Sequence, residues 1–453
     1  MTLDQVKTKL DEHGINKIKL GGFDIDGVLR GKYISLEKFF SSVEKGFGFC
    51  DVIFGWDAAD VLYDNVKYTG WHTGYPDTLA KIDLSTFRVI PWEPGVAHFI
   101  CDFYDHNRKP LAISPRQVLQ QVVAHCRSLG YEPMFSVEYE FFFFQETPHS
   151  LHEKQFHNLI PLSPGMFGYS HLRSSMHAEL THHIIDGLQA FDIELEGFHT
   201  ETGPGVYEAA IRYDSAVRAA DKAALFKTAI KEIAHRHDLV ATFMAKPNQA
   251  LPGCSGHTHQ SLWAHDHKKN LFYDETDASA MSPLMKQYLA GQLALMPELC
   301  AFVAPTVNSY KRMVPNTWAP TSASWGRENR TTSIRVIAGD PKTTRIEFRL
   351  AGADMNPYLG MATSLASGLY GIANKLELPE AWQQNAYTAP EGTFAALPRS
   401  LEEATARLRQ SKIAPQILGA EFVEHFILTR DWEVRQYQQA VTDWELKRYF
   451  EII

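Results

Sequence analysis

The sequence has few of the cysteines that a disulfide-bonded or zinc-binding protein needs. It contains five cysteines in 453 residues, and they are Cys50, Cys101, Cys126, Cys254 and Cys300. An odd, widely spaced set with no CxxC pair argues against a disulfide scaffold and against a structural zinc site. Because the chain also starts with charged residues where a secretory signal would need an apolar stretch, we expect a cytoplasmic protein.

Long hydrophobic runs and an excess of positive charge are also missing. No apolar run approaches the roughly 18 residues of a membrane-spanning helix. The 44 Lys and Arg residues are outnumbered by 53 Asp and Glu residues, which gives a net charge of −9 and argues against nucleic acid or a membrane surface as a partner. With 45% hydrophobic residues, the chain is predicted to be globular and to contain two or three domains.

The two common glycine-rich nucleotide loops are absent as well. There is no GxxxxGK[ST] sequence, and no GxGxxG sequence follows a predicted strand. A nucleotide bound by this protein must therefore have its phosphates held in another way. Strand and helix patterns alternate without a regular βαβ order, so the predicted fold class is α+β.

The predicted organisation is a small strand-rich domain over residues 1–105 followed by a larger domain over residues 106–453. Strands in the first domain are indicated by the apolar runs Lys17–Phe23, Cys50–Phe54, Phe87–Pro91 and Ala97–His106. In the second domain, helix patterns cover about 114–130, 215–236, 281–303 and 356–376. Strand patterns lie near 133–144, 193–201, 206–213, 240–246 and 345–350. The residues Ser400–Glu403 form a capping-box pattern that opens another helix.

Four segments combine charged residues with strand or turn patterns. In Met134–Phe144 the alternation places Glu138 and Glu140 on one face of a strand, where two close carboxylates repel unless a cation or water separates them. A solvated edge strand explains that segment equally well. In His199–Glu208 a Gly-Pro-Gly turn connects Glu201 to Glu208, which also fits a simple hairpin with two surface acids.

The other two segments carry histidines and arginines. Pro252–His259 is a glycine-rich loop that leads into a strand with His257 and His259. In Thr344–Leu350, alternation groups Arg345, Glu347 and Arg349 on one face, which could also be a solvated ladder of ion pairs. Six arginines fall between positions 312 and 349 of this acidic protein. Clustered guanidinium groups suit the binding of phosphate or carboxylate.

Taken together, these segments predict phosphoryl transfer. Five carboxylates and one imidazole make an oxygen-rich site suited to Mg²⁺ or Mn²⁺. Arginines beside such ions neutralise a transferred phosphoryl group. The chemistry indicated is phosphoryl transfer from ATP without a P-loop.

The same segments resemble the glutamine synthetase superfamily in order and spacing. The resemblance rests on Glu138-Tyr139-Glu140, the HxExGPG…E segment, the glycine-rich HxH segment, Ser309-Tyr310-Lys311-Arg312, Asn329-Arg330 and Arg345-Ile346-Glu347-Phe348-Arg349. It implies an N-terminal β-grasp domain and a large catalytic domain with a curved antiparallel sheet and flanking helices. It also implies self-association into stacked rings, such as a dodecamer, with active sites between neighbouring subunits.

The resemblance further implies roles for individual residues. Two or three Mg²⁺ or Mn²⁺ ions would be held by two ligand sets, of which Glu140, Glu201 and Glu208 form one and Glu138, His257 and Glu347 form the other. The glutamate carboxylates would contact Arg312, Arg349 and the loop at Gly253, and the ATP phosphates would contact Arg330 and Arg335, with Arg330 also facing the transferred phosphoryl group. The implied reaction proceeds through γ-glutamyl phosphate, which an amine nitrogen then attacks.

Some positions depart from the family pattern. Trp318 stands where glutamine synthetases carry a flap glutamate that accepts a proton from ammonium, and an indole can instead pack against an organic amine. Trp318 could also simply pack the flap closed. The aspartate of the ammonium site is expected near residues 55–60, with Asp57 favoured over Asp60. Pro252 replaces an asparagine of the glutamate loop, and Val206 replaces a glutamine.

These departures favour one of three functions. The leading prediction is an ATP-dependent ligase that forms a γ-glutamylamide from glutamate and an organic primary amine, which could be an alkylamine, an aromatic amine or a polyamine. The alternatives are an ordinary glutamine synthetase that uses ammonia, and a structural relative without catalytic activity. Because all six metal-ligand positions are present, the sequence argues against the inert relative.

Overall fold

The computed structural model describes residues 1–453, which form seventeen strands and fourteen α-helices. The strands are β1 (Lys17–Phe23), β2 (Leu29–Ser35), β3 (Phe47–Cys50), β4 (Asp77–Ile82), β5 (Arg88–Val89), β6 (Val96–Tyr104), β7 (Tyr131–Phe144), β8 (Leu195–Thr200), β9 (Val206–Ile211), β10 (Asp214–Ser215), β11 (Val240–Thr242), β12 (Gly256–Ala264), β13 (Ser322–Ala323), β14 (Trp325–Arg327), β15 (Ile334–Ile337), β16 (Arg345–Phe348) and β17 (Ala395–Ala396). The helices are α1 (Leu3–Glu12), α2 (Leu36–Val43), α3 (Pro115–Ser128), α4 (Pro148–Glu153), α5 (His171–Met176), α6 (Ala178–Ala190), α7 (Ala216–Arg236), α8 (Pro283–Leu299), α9 (Ser309–Arg312), α10 (Pro357–Ala373), α11 (Leu401–Gln410), α12 (Ala414–Leu418), α13 (Ala420–Gln439) and α14 (Asp443–Tyr449).

The first sheet is built from β1 to β6 in the order β2-β1-β6-β4-β3, with β5 also paired to β6. Its own apolar core includes Phe39, Phe99 and Phe103, all of them buried. The predicted strand Lys17–Phe23 is confirmed as β1. The strand predicted over Cys50–Phe54 is wrong: β3 ends at Cys50, and the next four residues form a short 3₁₀ turn in which the buried Asp51 carboxylate accepts a hydrogen bond from Thr69 at 2.6 Å.

The second sheet has nine strands and is centred on β7, a strand of fourteen residues. Its main order is β14-β15-β16-β12-β7-β9-β8, and β10 and β11 pair with the two ends of β7. The predicted alternation holds along the middle of β7, where Val137, Tyr139 and Phe141 are buried while Glu138 and Glu140 face the other side. One face of this sheet is therefore apolar and the other carries the acids.

Helices cover the apolar face of the second sheet. Phe226 of α7 stacks on Tyr139 with ring centroids 5.8 Å apart, and Phe243 lies 4.9 Å from Phe141 in the same layer. The predicted helices at 114–130, 215–236, 281–303 and 356–376 are confirmed as α3, α7, α8 and α10 to within a few residues. The α+β fold class with a sheet flanked by helices is thereby confirmed.

The predicted capping box at Ser400 is only half present. The Ser400 hydroxyl accepts a hydrogen bond from the Glu403 N–H at 3.1 Å, as a helix N-cap should. The Glu403 carboxylate, however, accepts from the Arg399 N–H at 2.9 Å rather than from Ser400. The glutamate therefore reaches one residue further back than the box requires.

The two sheets are joined by a buried ion cluster at the start of α3. The Arg116 guanidinium donates to Asp102 of β6, to Asp83 directly after β4, and to Asp221 of α7. All strands of the first sheet lie within residues 17–104, and those of the second lie within 131–348. The domain boundary at residue 105 stays a prediction. None of the helices combines the length and apolar character that a membrane crossing requires.

Candidate functional site

A cavity of about 680 Å³ opens on the acid-bearing face of the nine-stranded sheet. Twelve of the thirteen residues to which the sequence assigned a role line it, and these are Glu138, Glu140, Glu201, Glu208, Gly253, His257, Arg312, Trp318, Arg330, Arg335, Glu347 and Arg349. They come from parts of the chain that are more than 200 residues apart, from Glu138 to Arg349. The remaining residue, Asp57, does not line this cavity.

Strand register brings one group of acids together on one side of β7. Glu140 of β7 is directly opposite Glu208 of β9, and Glu208 is in turn opposite His199 of β8. His199 Nε2 lies 3.4 Å from Glu208 Oε1, and its Nδ1 lies 3.9 Å from Glu201 Oε2. His199 was not assigned a role from the sequence, because its position beside Glu208 depends on the pairing of β8 with β9.

Register on the other side of β7 assembles the second group. His257 of β12 is directly opposite Glu138, and its neighbour His259 is directly opposite Glu347 of β16. His257 Nδ1 lies 3.4 Å from Glu347 Oε1 and 3.9 Å from Glu138 Oε2. His259 Nε2 lies 3.1 Å from Glu138 Oε1, so two imidazoles face the two carboxylates. Arg335 of β15 is directly opposite Glu347 and is the last member of this group across the sheet.

The negative charge of the first group of acids is only partly compensated, by Arg312 and His199. Burial, together with the nearby Glu208 carboxylate, raises the pKa of Glu140 to about 7, although its Oε2 accepts a hydrogen bond from the Ser255 N–H at 2.6 Å. Burial also raises the pKa of Glu208, despite its contact with His199. Burial and mutual repulsion thus disfavour the ionised form of both carboxylates, and a bound cation would favour it.

In the second group of acids, nearby cationic groups balance the negative charge of the carboxylates more fully. Burial opposes the ionised form of Glu138, but His259 and the nearby Arg349 outweigh that effect and lower its pKa to about 2. Burial and the adjacent Arg349 keep the pKa of His257 well below its usual range, so its imidazole is neutral. The neutral imidazole of His257 and the ionised carboxylate of Glu138 have the charge states required of metal ligands.

Both groups fit divalent cations. The ligand atoms of Glu138, His259 and Glu347 lie within 4.8 Å of one another, and so do those of His199, Glu201 and Glu208. Sites rich in carboxylate oxygen suit Mg²⁺ or Mn²⁺ more than zinc. The raised pKa of Glu140 independently indicates that this corner of the cavity needs a positive charge.

A pair of buried guanidinium groups forms the wall beside the carboxylates. Arg312 of α9 donates from Nη1 to the Leu350 carbonyl at 3.0 Å, and Arg349 forms an ion pair with Glu347. Gly253 makes the position of Arg312 possible: a Cβ on this residue would lie 2.7 Å from Arg312 Cγ and 2.5 Å from the Ala245 carbonyl oxygen. The glycine is therefore required by close packing.

The two arginines expected near ATP differ in their contacts. Arg335 donates to Glu347 at 2.9 Å and also pairs with Glu328, so its guanidinium is fixed on the sheet. Arg330 lines the cavity but has no carboxylate within ion-pair distance and no side-chain hydrogen bond. It is an exposed cation whose charge is available to an anion in the cavity.

The segment Met313–Pro320, here named the flap, carries Trp318 over the cavity. The Trp318 side chain is 58% exposed, and its backbone has a φ of 55°, in the left-handed region that an indole-bearing residue rarely adopts. Its carbonyl accepts from Arg349 Nη2 at 3.4 Å, and the Tyr387 hydroxyl donates to the Ala319 carbonyl at 2.9 Å. The flap contains no acidic residue.

Asp57 is held in a loop of the N-terminal region. Its Oδ2 accepts from Trp432 Nε1 at 3.0 Å, and its Oδ1 accepts from the N–H groups of Ala59 and Val61. Asp60 instead forms an ion pair with Arg30 at 2.6 Å. Within one chain, therefore, neither aspartate reaches the cavity, and the role predicted for Asp57 stays a prediction.

A smaller pocket of about 220 Å³ adjoins the cavity and shares Glu138 and Ala210 with it. Its walls include Trp263 and Lys342, and Arg345, whose Nε donates to His259 Nδ1 at 3.1 Å. An aromatic ring with flanking cations suits the base and phosphates of a nucleotide. Sequence reasoning assigned no role to these residues, although the alternation that places Ser261 and Trp263 on the same face as His259 could have indicated them.

Comparison with known proteins identifies the family. The family described as "Glutamine synthetase, catalytic domain" matches residues 112–449. The chain belongs to the glutamine synthetase family. It is accordingly an ATP-dependent carbon–nitrogen ligase, and members of this family use ATP and divalent metal ions.

Relatives within the glutamine synthetase family carry different names. The chain is 53% identical to "Type-1 glutamine synthetase 2" of Dictyostelium discoideum, over 96% of this chain and 84% of the relative. It is 39% identical to "Glutamate--isopropylamine ligase" of a Pseudomonas species, over 99% and 98%, and 35% identical to "Gamma-glutamylethanolamide synthetase GlnA4" of Streptomyces coelicolor, over 96% and 93%. The solved structure described as "GmaS/ADP complex-Conformation 1" superposes with a TM-score of 0.85 at 27% identity, covering 98% of both chains.

Proposed function

We propose that this glutamine synthetase relative joins the γ-carboxylate of glutamate to an organic primary amine, with ATP as the activating reagent. The observation that carries the proposal is the flap, which presents the exposed indole of Trp318 to the cavity and has no carboxylate of its own. An apolar ring packs well against the organic part of an amine, whereas it cannot accept a proton from ammonium.

The reaction takes place in two steps. An oxygen of the glutamate γ-carboxylate attacks the γ-phosphorus of ATP, which gives γ-glutamyl phosphate and ADP. The amine nitrogen then attacks the acyl carbon, the C–O bond to phosphate breaks, and the nitrogen loses a proton. Phosphorylation is needed because a free carboxylate has no good leaving group.

Cavity residues are assigned to these steps by their chemistry. Arg312 and Arg349 bind the glutamate carboxylates beside Gly253, and Arg330 and Arg335 face the phosphates. Arg330 is the residue placed to neutralise the transferring phosphoryl group, because no carboxylate of the chain satisfies it. The pocket with Trp263 and Arg345 accommodates the nucleoside, because an aromatic ring beside cations suits a base and its phosphates. Nucleotide binding as such is supported by the ADP named in the complex of the structural relative.

Two or three Mg²⁺ or Mn²⁺ ions would be held by Glu138, Glu140, Glu201, Glu208, His257 and Glu347. When bound, they would supply the positive charge that lets two anionic reactants approach each other. The carboxylate groups on the two sides of β7 provide separate places for them. His199 and His259 hydrogen bond or pair with these carboxylates and so orient them.

Asp57 would act on the amine from a neighbouring subunit of a ring assembly. In its own chain the carboxylate lies away from the cavity, against Trp432. A site between subunits would bring the N-terminal region of one copy over the cavity of the next. Asp57 could then attract the ammonium form of the amine before the nitrogen is deprotonated.

The second candidate function is the synthesis of glutamine from ammonia. It is favoured by the 53% identity to a protein named glutamine synthetase, which exceeds the identity to either relative named for an organic amine. It requires another group to take the place of the flap carboxylate.

Phosphate release from ATP in the presence of glutamate and Mg²⁺ separates the two functions. Ammonia is compared with ethanolamine, isopropylamine, aniline and putrescine at equal concentrations of unprotonated amine. We expect one organic amine to exceed ammonia at least about tenfold in kcat/KM, which corresponds to about 1.4 kcal/mol. If ammonia is the best substrate, the proposal is wrong and the chain is a glutamine synthetase.

A further inference from the structure

A third group of side chains of the types that ligate metals lies on the surface, away from the two groups in the catalytic cavity. It consists of Glu179 and His183 on α6 and His237 immediately after α7, and their ligand atoms lie within 4.8 Å of one another. None of the three residues lines the cavity. We propose that Glu179, His183 and His237 bind a zinc-type transition-metal ion that connects the two helices.

Local structure fixes the positions of these ligands. Glu179 and His183 are four residues apart on α6, so they lie on the same side of the helix one turn apart. The helix is anchored along its buried face, which includes Leu180, Ile184 and Leu188. Both ligands are exposed at the edge of that face, where an ion can reach them.

His237 is fixed by the end of α7. It is the C-cap residue of that helix, and its N–H donates to the Ala234 carbonyl at 2.9 Å. Its Nε2 lies 2.8 Å from His183 Nδ1, with the ring planes 50° apart. In a tetrahedral zinc site with Zn–N bonds of about 2.0–2.1 Å, two ligand nitrogens lie about 3.3 Å apart. The two rings therefore need to separate by only about half an ångström to admit an ion.

The three side chains make no alternative contacts. Glu179 has no ion-pair or hydrogen-bond partner, and each histidine has no side-chain hydrogen bond except the one to the other histidine. The ligand atoms of all three side chains are therefore free to coordinate an ion without breaking a contact to the rest of the protein, apart from the one between the two histidines. The remaining coordination position is open to water, as three protein ligands leave one position of a tetrahedron free.

The donor set distinguishes this site from the catalytic one. Two imidazoles and one carboxylate favour Zn²⁺, Cu²⁺ or Ni²⁺, whereas the glutamate-rich cavity favours Mg²⁺ or Mn²⁺. The two sites can therefore be filled selectively in the same molecule. A metal ion here cross-links α6 to α7, whose Phe226 packs beneath the catalytic strand.

The test is zinc binding by the full-length protein in saturating Mg²⁺, measured by calorimetry and by melting temperature. We expect one zinc-specific site per chain and a melting temperature that rises with Zn²⁺. In His183→Ala and His237→Ala, zinc affinity should fall at least about tenfold and the zinc-dependent rise should disappear. His182→Ala is the matched control, because His182 is exposed on the same helix but is not part of the group.

Co²⁺ gives an independent readout. We expect the visible absorption of tetrahedral Co²⁺ in the wild-type protein and in His182→Ala but not in His183→Ala. Folding of each variant is checked by its melting temperature without zinc and by phosphate release, neither of which should change. Equal zinc affinity in wild type and His183→Ala, or the absence of any zinc-specific site, would overturn the proposal without affecting the proposed ligase activity.

Discussion

The nine-stranded sheet and the flap Met313–Pro320 both line the catalytic cavity, but they hold their side chains in different ways. On the sheet, His257 is 6% exposed and Glu347 is 1% exposed, and both are positioned by β-strand register. On the flap, Trp318 is 58% exposed and has a left-handed backbone conformation. The side chains assigned to phosphorylation of the glutamate carboxylate are therefore buried and held by strand pairing. The residue assigned to selection of the amine is on a surface loop.

Under the proposed function, this difference would explain how one fold can serve several amines. A change on the sheet alters register, burial and charge balance together, so few substitutions are tolerated there. A change on the flap alters only the surface that meets the incoming nitrogen. Relatives named for isopropylamine, ethanolamide and glutamine can thus share the fold. Substitutions on the sheet and on the flap should therefore differ in their effects, and those on the sheet should have the largest.

Removing a sheet carboxylate should have the largest effect. We expect Glu140→Gln to lower kcat/KM for phosphate release at least about 100-fold with every amine, because a neutral amide cannot replace an anionic metal ligand. Glu194→Gln is the control, since Glu194 forms an exposed ion pair with Arg212. A loss below tenfold would show that the carboxylates of the sheet are not the metal ligands.

Filling the space at Gly253 should have the next largest effect. In Gly253→Ala the new Cβ would displace Arg312, so KM for glutamate should rise about 10- to 50-fold while KM for ATP changes little. Gly339→Ala is the matched control, because a Cβ there meets nothing within 4 Å. An equal rise in both KM values would place Arg312 outside the glutamate site.

Changing the flap should alter which amine is used without affecting the formation of γ-glutamyl phosphate. We expect Trp318→Glu to raise the ratio of kcat/KM for ammonia to that for the best organic amine about tenfold, because a carboxylate attracts ammonium and removes the apolar contact. Trp318→Phe retains an aromatic ring and should keep the original preference. An unchanged ratio in Trp318→Glu would mean that the indole only packs the flap closed.

The smallest expected effect is a dependence of stability on pH and metal. Burial and Glu208 raise the pKa of Glu140 from an ordinary 4.5 to about 7, so the folded metal-free protein holds a proton that the unfolded chain has lost. The contribution of this group to the free energy of unfolding therefore falls as pH rises from about 4.5 through 7. Since a bound cation replaces the proton, Mg²⁺ should raise the melting temperature by a few degrees more at pH 8 than at pH 6.

Glu140→Gln provides the control for that measurement. An amide does not titrate, so in the variant the Mg²⁺-dependent rise in melting temperature should differ less between pH 6 and pH 8. Scanning calorimetry with and without Mg²⁺ measures it. If wild type and variant respond identically, the proton is not held at Glu140.

Much of the local structure follows from the sequence. Alternation along Met134–Phe144 placed Glu138 and Glu140 on one face of β7, and the helix pattern over about 114–130 predicted α3. The failures have local causes. The apolar run Cys50–Phe54 does not continue as a strand because the Asp51 carboxylate pairs with Thr69, and Glu403 pairs with Arg399 rather than with the N-cap serine.

The sequence by itself determined the family of the chain and predicted which residues carry its chemistry, because both inferences rest on residue type, spacing and alternation. Only the tertiary structure decided which of them meet. His259 contacts Glu138 through pairing between β12 and β7, which are distant in the chain, and His199 contacts Glu208 through the register of the β8–β9 hairpin. The zinc-type group on α6 and α7 depends likewise on how two helices pack. Such contacts follow from register and packing, which no local pattern encodes.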